Sequence, residues 1–238
     1  YILNSRLFDR NAKLNLNNLV IQNQSNSNQN IIDINYAYLE SFLRLFEILN
    51  IESDKVYALI DWIDKNDDIY SNSGAEDQFY LQKNPPYRAA NNMILNLDEL
   101  RLIRGFDAET VKKMKPYVSA IPSRSLININ TAEENVLRSL HAVIGPTFAS
   151  LINKRVNDQP FKTIDEFKIF LLDKLRLDIV TVNQISSLVT TKSSDYLLEA
   201  KIIYKNSFID FKTSINLKKG NERSQKYNRI IYKIDQIK

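Results

Sequence analysis

An α+β fold is predicted, with a large all-helical region interrupting a small antiparallel sheet. Three observations carry that expectation. A short apolar run set among turn-forming asparagines occupies residues 14–21. Apolar side chains then recur at helical spacing from Asn35 to about Thr190. Beyond that point the period falls to two, the signature of half-buried strands. The implied domains are residues 1–34, 35–190 and 191–238, with the first and last sharing one sheet.

Taken in order, the residues before Leu14 read as polar and helix-forming. Leu14, Leu16 and the apolar residues from Leu19 predict a short strand, expected to join the C-terminal sheet. Residues 22–30, QNQSNSNQN, lack apolar side chains and read as a loop. Leu39, Phe42, Leu43, Phe46 and Leu49 predict one helix; Val56, Leu59, Ile60 and Ile63 predict a second, with Ser53 and Asp54 as starts. After the helix-breaking Pro85-Pro86, helices are expected over 97–103, 108–117, 132–141, 147–155 and 164–172. Asp98, Asp107, Thr131 and Thr163 sit where caps belong, and Thr131 with Glu134 fits a capping box. Three strands follow in YLLEAKIIYKN, FIDFKTSINLKK and YNRIIYKIDQI, punctuated by Asn206-Ser207 and Lys218-Lys219-Gly220-Asn221.

Composition removes several kinds of chemistry. With 238 residues, 44% hydrophobic and 25% charged, the chain has room for a sizeable core. Its 4 glycines form neither a P-loop nor a dinucleotide fingerprint. Without cysteine there is no disulfide, thiol nucleophile or thiolate metal site. His141 is the 1 histidine, so carboxylates are left as the metal or acid-base groups, and His141 itself reads as a packed helix residue. No run of about 18 apolar residues is present to cross a bilayer. The chain starts at Tyr1 without an initiator methionine, from which an upstream targeting or membrane segment is expected. The net charge of +4 is uneven, and the basic stretch from Lys201 reads as a solvated strand face.

Against that positive balance, residues 61–88 are acidic at their start. Counted through Asp77, Asp61, Asp64, Asp67, Asp68, Glu76 and Asp77 face one cation, Lys65, and Arg88 closes the stretch. So many carboxylates repel one another unless a cation neutralises them, and oxygen donors without His or Cys suit calcium. Asp64, Asn66 and Asp68 fall at the first, third and fifth positions of a calcium-loop pattern, but Ile69 stands where the glycine belongs and Glu76 comes one residue late. An irregular calcium loop and a solvated acidic loop paired by Arg88 and Lys65 both remain open. A carboxylate hydrolase would need a water-excluding pocket to raise one pKa. Trp62 and Tyr80 read as core anchors.

Two stretches resemble DNA-binding helix-hairpin-helix units: LRLIRGFDAETVKKMKPYV and the longer run beginning ININTAEENVLRSLHAVIGPTF. Such hairpins seat a phosphate on backbone amides beside two glycines. Each hairpin here keeps one glycine, Gly105 or Gly145, and Asp107 adds a repelling charge to the first.

The order of DRNAKLNLNNL, LIDWIDKNDD, GAED, PPYRAAN, ELRLIRGF, PYVSAIP, ININTA, VLRSL and SSDYLLEA resembles one family, the minor pseudopilin K of the bacterial type II secretion system. The resemblance implies a pilin-like sheet domain carrying an inserted helical domain with helix-hairpin-helix-like units. It implies a non-enzymatic cap at the pseudopilus tip, with the minor pseudopilins I and J as partners and no nucleic acid. The full-length protein would be periplasmic, anchored in the inner membrane by an N-terminal helix of which Tyr1 continues the soluble part. Calcium is the implied cofactor, with Asp64, Asp67, Asp68, Glu76 and Asp77 as ligands and Asn91 or Asn92 as further candidates. Asp61 is left to orient Arg88. Tyr1, Leu3, Leu7 and Phe8 are the candidate partner contacts. Some relatives carry a disulfide that this cysteine-free chain cannot form. The rival reading is a periplasmic DNA-binding protein using the two hairpins.

Overall fold

The computed structural model describes residues 2–21, 33–204, 207–217 and 231–236. The loop expected at 22–30 and the turn at 218–221 lie outside the described residues. In chain order the elements are β1 (Ile2–Asp9), β2 (Leu14–Asn15), α1 (Tyr36–Ile48), α2 (Lys55–Ile63), α3 (Asp77–Tyr80), α4 (Ala108–Met114), β3 (Val118–Ser119) and β4 (Ile127–Asn128). They continue as α5 (Glu134–Ser139), α6 (Pro146–Asp158), α7 (Ile164–Asp173), α8 (Ile179–Ser187), β5 (Val189–Thr190), β6 (Asp195–Tyr204), β7 (Ser207–Asn216) and β8 (Ile231–Gln236). A 3-10 helix covers Leu97–Leu102. The class is α+β, and the chain divides into Tyr1–Asn11 with Lys192–Lys238 as one unit and Ala12–Thr191 as the other.

The smaller unit is an antiparallel sheet in the order β1-β6-β7-β8. Residues 2–9 are a strand, which corrects the expected helical start. Every residue of β1 pairs with β6, from Ile2 opposite Ile203 to Asp9 opposite Tyr196, and the partner lies nearly 200 positions away in sequence. Register places Leu3 and Leu7 on one face with Ile202, Leu198 and Ile209, while Arg6, Glu199 and Lys212 line the other. On that polar face Lys212 and Glu199 pair at 2.6 Å.

Residues 14–21 do not join this sheet, a second correction. They lie in the helical unit, which begins at Ala12, so the division falls after Asn11 and not at 34. β2 pairs in parallel with β3, and Leu14, Leu16 and Leu19 are fully buried. The asparagines between them are buried too, and they substitute for strand pairing. Asn17 donates from Nδ2 to the Ile94 carbonyl at 2.8 Å and accepts from the Ile94 amide at 2.8 Å. Asn15 does the same with Ile121, at 3.1 and 3.0 Å. Burying amide side chains is tolerable because their donors and acceptors are satisfied.

Around this seam the helices pack as their spacing predicts. α1 buries Phe42, Leu45 and Phe46 and packs on α2 and α5. α2 is apolar on almost every side, with Val56, Leu59, Ile60, Trp62 and Ile63 buried. Asp107 and Thr163 are side-chain caps, accepting from Thr110 N and Glu166 N. The cap at the 3-10 helix is Asn96, boxed with Glu99, in place of the expected Asp98. Thr131 does not cap α5; that helix starts after Glu133, and the Thr131 hydroxyl bonds back to the Asn128 carbonyl. α5 also stops at Ser139, leaving His141 in the following turn, where its Nδ1 accepts from Val143 N.

Candidate metal centre

Helix α2 delivers the first donors. Asp61 and Asp64 are one turn apart, so both project from the same side, and Asp64 is the residue at which the helix ends. Chain direction then changes through side-chain turns: Asp64 Oδ1 accepts from Asn66 N at 3.2 Å, and Asn66 Oδ1 accepts from Asp68 N at 2.6 Å. The loop returns at Tyr70, whose N–H donates to Asp61 Oδ1 at 3.0 Å. Gly74 passes directly over the other oxygen of Asp61, and a β-carbon at residue 74 would collide with it. Two residues later Glu76, immediately before α3, turns its carboxylate in.

One oxygen from each of Asp61, Asp64 and Glu76 lies within 4.8 Å of the others. The three residues are 0%, 2% and 3% exposed. Asp61 Oδ2, Asp64 Oδ2 and both oxygens of Glu76 are buried without any hydrogen-bond partner. Asn91 adds a fifth unpaired oxygen, Oδ1, while its Nδ2 donates to Asp67 Oδ1 at 2.9 Å. Buried polar groups are nearly always paired, so five unpaired oxygens on four residues require an explanation.

Electrostatics repeats the point. Desolvation, reinforced by mutual repulsion for Asp64 and Glu76, pushes Asp61 to about 6, Asp64 to about 7 and Glu76 to about 9. A bound divalent cation reverses both causes at once. The donor set is hard oxygen throughout, which suits calcium or magnesium and not zinc. The orphaned oxygens therefore fit a hard cation. Their burial gives no access to a polymer or glycan substrate.

The arrangement differs from the expected ligand set. Asp64 and Glu76 enter the cluster. Asp67 and Asp68 face solvent, because the turns after Asp64 send them outward. Asp77 is committed elsewhere: it pairs with Arg88 at 2.7 Å and accepts from Ala89 N at 2.9 Å. Asp61, expected to orient Arg88, takes the place beside Asp64. Trp62 and Tyr80 pack edge to face at 5.2 Å as core anchors under the loop. Leu3 and Leu7 are 65% and 58% exposed on the apolar face of the sheet, Phe8 is on the opposite face, and Tyr1 is outside the described residues.

Residues 12–123, which include the whole cluster, match the family model described as type II secretion system (T2SS), protein K. The type II secretion system protein K of Aeromonas hydrophila is 30% identical over 207 residues, 84% of this chain and 62% of that protein. Its counterpart from Pseudomonas aeruginosa is 29% identical over 169 residues, 69% of this chain and 47% of that protein. Residues 12–123 belong to the type II secretion system protein K family. The chain spans 62% and 47% of the length of these two family members. A chain from the crystal structure of the GspK-GspI-GspJ complex of enterotoxigenic Escherichia coli superimposes with a TM-score of 0.72 at 21% identity, covering 98% of this chain and 80% of that one. The likeness supports the fold, a sheet unit with a helical unit built into it.

Each hairpin engages part of its own backbone. In the first, the Asp107 carboxylate already occupies the Thr110 amide at 2.7 Å. In the second, Val143 N, Ile144 N and Gly145 N are bonded within the turn, and Pro146 has no amide hydrogen to offer.

Proposed function

We propose that the chain is a minor pseudopilin that caps the tip of the type II secretion pseudopilus, and that calcium staples its helical unit. Similarity to the type II secretion system protein K family supports the first part. The convergence of Asp61, Asp64 and Glu76 with their oxygens buried and unpaired carries the second. In this reading Asp61 Oδ2, Asp64 Oδ2 and the Glu76 carboxylate hold the ion, with Asn91 Oδ1 as a further donor. The ion contributes charge neutralisation and loop closure, and no reaction; the protein is not an enzyme.

The partners in this reading are the minor pseudopilins I and J. The solved chain of similar fold was crystallised in a complex of that composition. The exposed apolar sheet face with Leu3 and Leu7 is the contact surface proposed for the assembly. A periplasmic location, with inner-membrane anchoring through a helix outside these residues before assembly, belongs to the same proposal and rests on the family.

Co-expression with the I and J subunits of the same system provides the test. A three-component complex is expected on size exclusion, while a chain that elutes alone contradicts the proposal. Retention on DNA at low salt that falls steeply as salt rises would favour the rival instead.

A further inference from the structure

The hairpin Arg104-Gly105-Phe106-Asp107 reaches the cation loop. Arg104 Nη1 donates to the Gly74 carbonyl at 2.7 Å, and the Arg104 amide donates to Tyr80 Oη at 3.3 Å. Between those two anchors its guanidinium lies 5.1 Å from the centre of the Phe79 ring. Gly105 takes a φ of +83°, which glycine adopts without strain, and it packs against the stem of Lys55 at the start of α2. One hairpin thus holds both ends of the segment 74–80, and Glu76 lies inside that segment. Glu76 is tied to α3 through its own carbonyl, which accepts from Phe79 N at 2.8 Å.

We propose that Arg104 is the positioning residue of the cation site, clamping the Gly74 to Tyr80 segment so that Glu76 is preorganised to ligate. This rests on the calcium reading above. Arg104 touches none of the donor oxygens and acts through the backbone they hang from. Groups that orient metal ligands from outside typically account for about 10–100-fold in affinity. The sign of the effect separates two roles. As a nearby positive charge Arg104 opposes a cation, so removing the charge alone would tighten binding; as a clamp it supports binding, so removing it weakens binding.

Calorimetric titration of the 238-residue chain with calcium tests this, using wild type, Arg104→Ala and Arg104→Lys. Arg104→Ala is expected to bind calcium about 10–100-fold more weakly, and Arg104→Lys, which keeps a donor for Gly74, to recover part of the loss. The metal-stripped melting temperatures of both variants should stay close to wild type, since the Arg104 side chain is exposed. Affinity that is unchanged or tighter in Arg104→Ala overturns the proposal. So does a melting temperature lowered equally with and without calcium, the mark of a purely structural role. Failure of the wild-type chain to take up calcium would instead bring down the cation reading, and that is visible before any variant is made.

Discussion

Gly74 and Asp61 are matched: the Asp61 carboxylate occupies the space that a side chain at residue 74 would need. Helix α2 fixes one member and the returning loop the other, so the glycine is required by close approach and not by backbone conformation. Gly74→Ala is expected to displace Asp61 Oδ2 and to weaken calcium binding by at least about tenfold. Calorimetric titration checks it, and wild-type affinity would show that Asp61 is not a ligand.

The two kinds of acidic residue in the loop should separate cleanly on substitution. Asp64→Asn removes one of three crowded, buried charges, so the metal-stripped protein should melt higher than wild type while the gain from calcium is lost. Asp77→Asn leaves the cluster intact and removes a largely exposed ion pair with Arg88, worth about 1 kcal/mol or less. Its gain from calcium should be that of wild type. Thermal melts of both variants, with and without calcium, decide between this assignment and the ligand set expected from sequence adjacency.

A pH dependence follows from the same crowding. In the metal-free fold Asp61, Asp64 and Glu76 are raised to about 6, 7 and 9. A carboxyl raised on folding contributes stability at low pH that is lost as pH climbs through its folded value. Metal-stripped protein should therefore lose melting temperature between about pH 4 and pH 9. Calcium binds the ionised forms, so its stabilisation should grow over the same window. Parallel pH profiles with and without calcium would contradict this.

The asparagine seam is a stability element independent of any ion. Asn17→Ala strands the amide and the carbonyl of Ile94 in a buried position, each costing about 1–3 kcal/mol. Urea unfolding should report a loss of that size with unchanged calcium affinity.

Much of this was legible in the sequence wherever the decisive interaction is local. The apolar spacing of α1 and α2, the caps at Asp107 and Thr163, and the alternation of Ile209 and Phe211 against Asp210 and Lys212 are periodic or short-range signals. What was not legible depends on distant partners. Residues 2–9 become a strand because β6 pairs with them, and the run at 14–21 is diverted because Asn15 and Asn17 find Ile121 and Ile94. At the site, closeness in sequence favoured Asp67 and Asp68, which the turns expel. The i,i+3 spacing of Asp61 and Asp64 on a helix that is otherwise apolar was the available signal for the third carboxylate. Asn91 was a candidate through the family resemblance alone, and its return to Asn66 and Asp67 is a contact across 24 or more residues that no local pattern encodes.

Melting of the metal-stripped chain, repeated after adding calcium to about one hundred times its dissociation constant, asks whether an ion holds the helical unit together. A rise of about 5–10 °C is expected for a chain of this size, reversed by a chelator. Superimposable curves would mean that Asp61, Asp64 and Glu76 hold no structural ion.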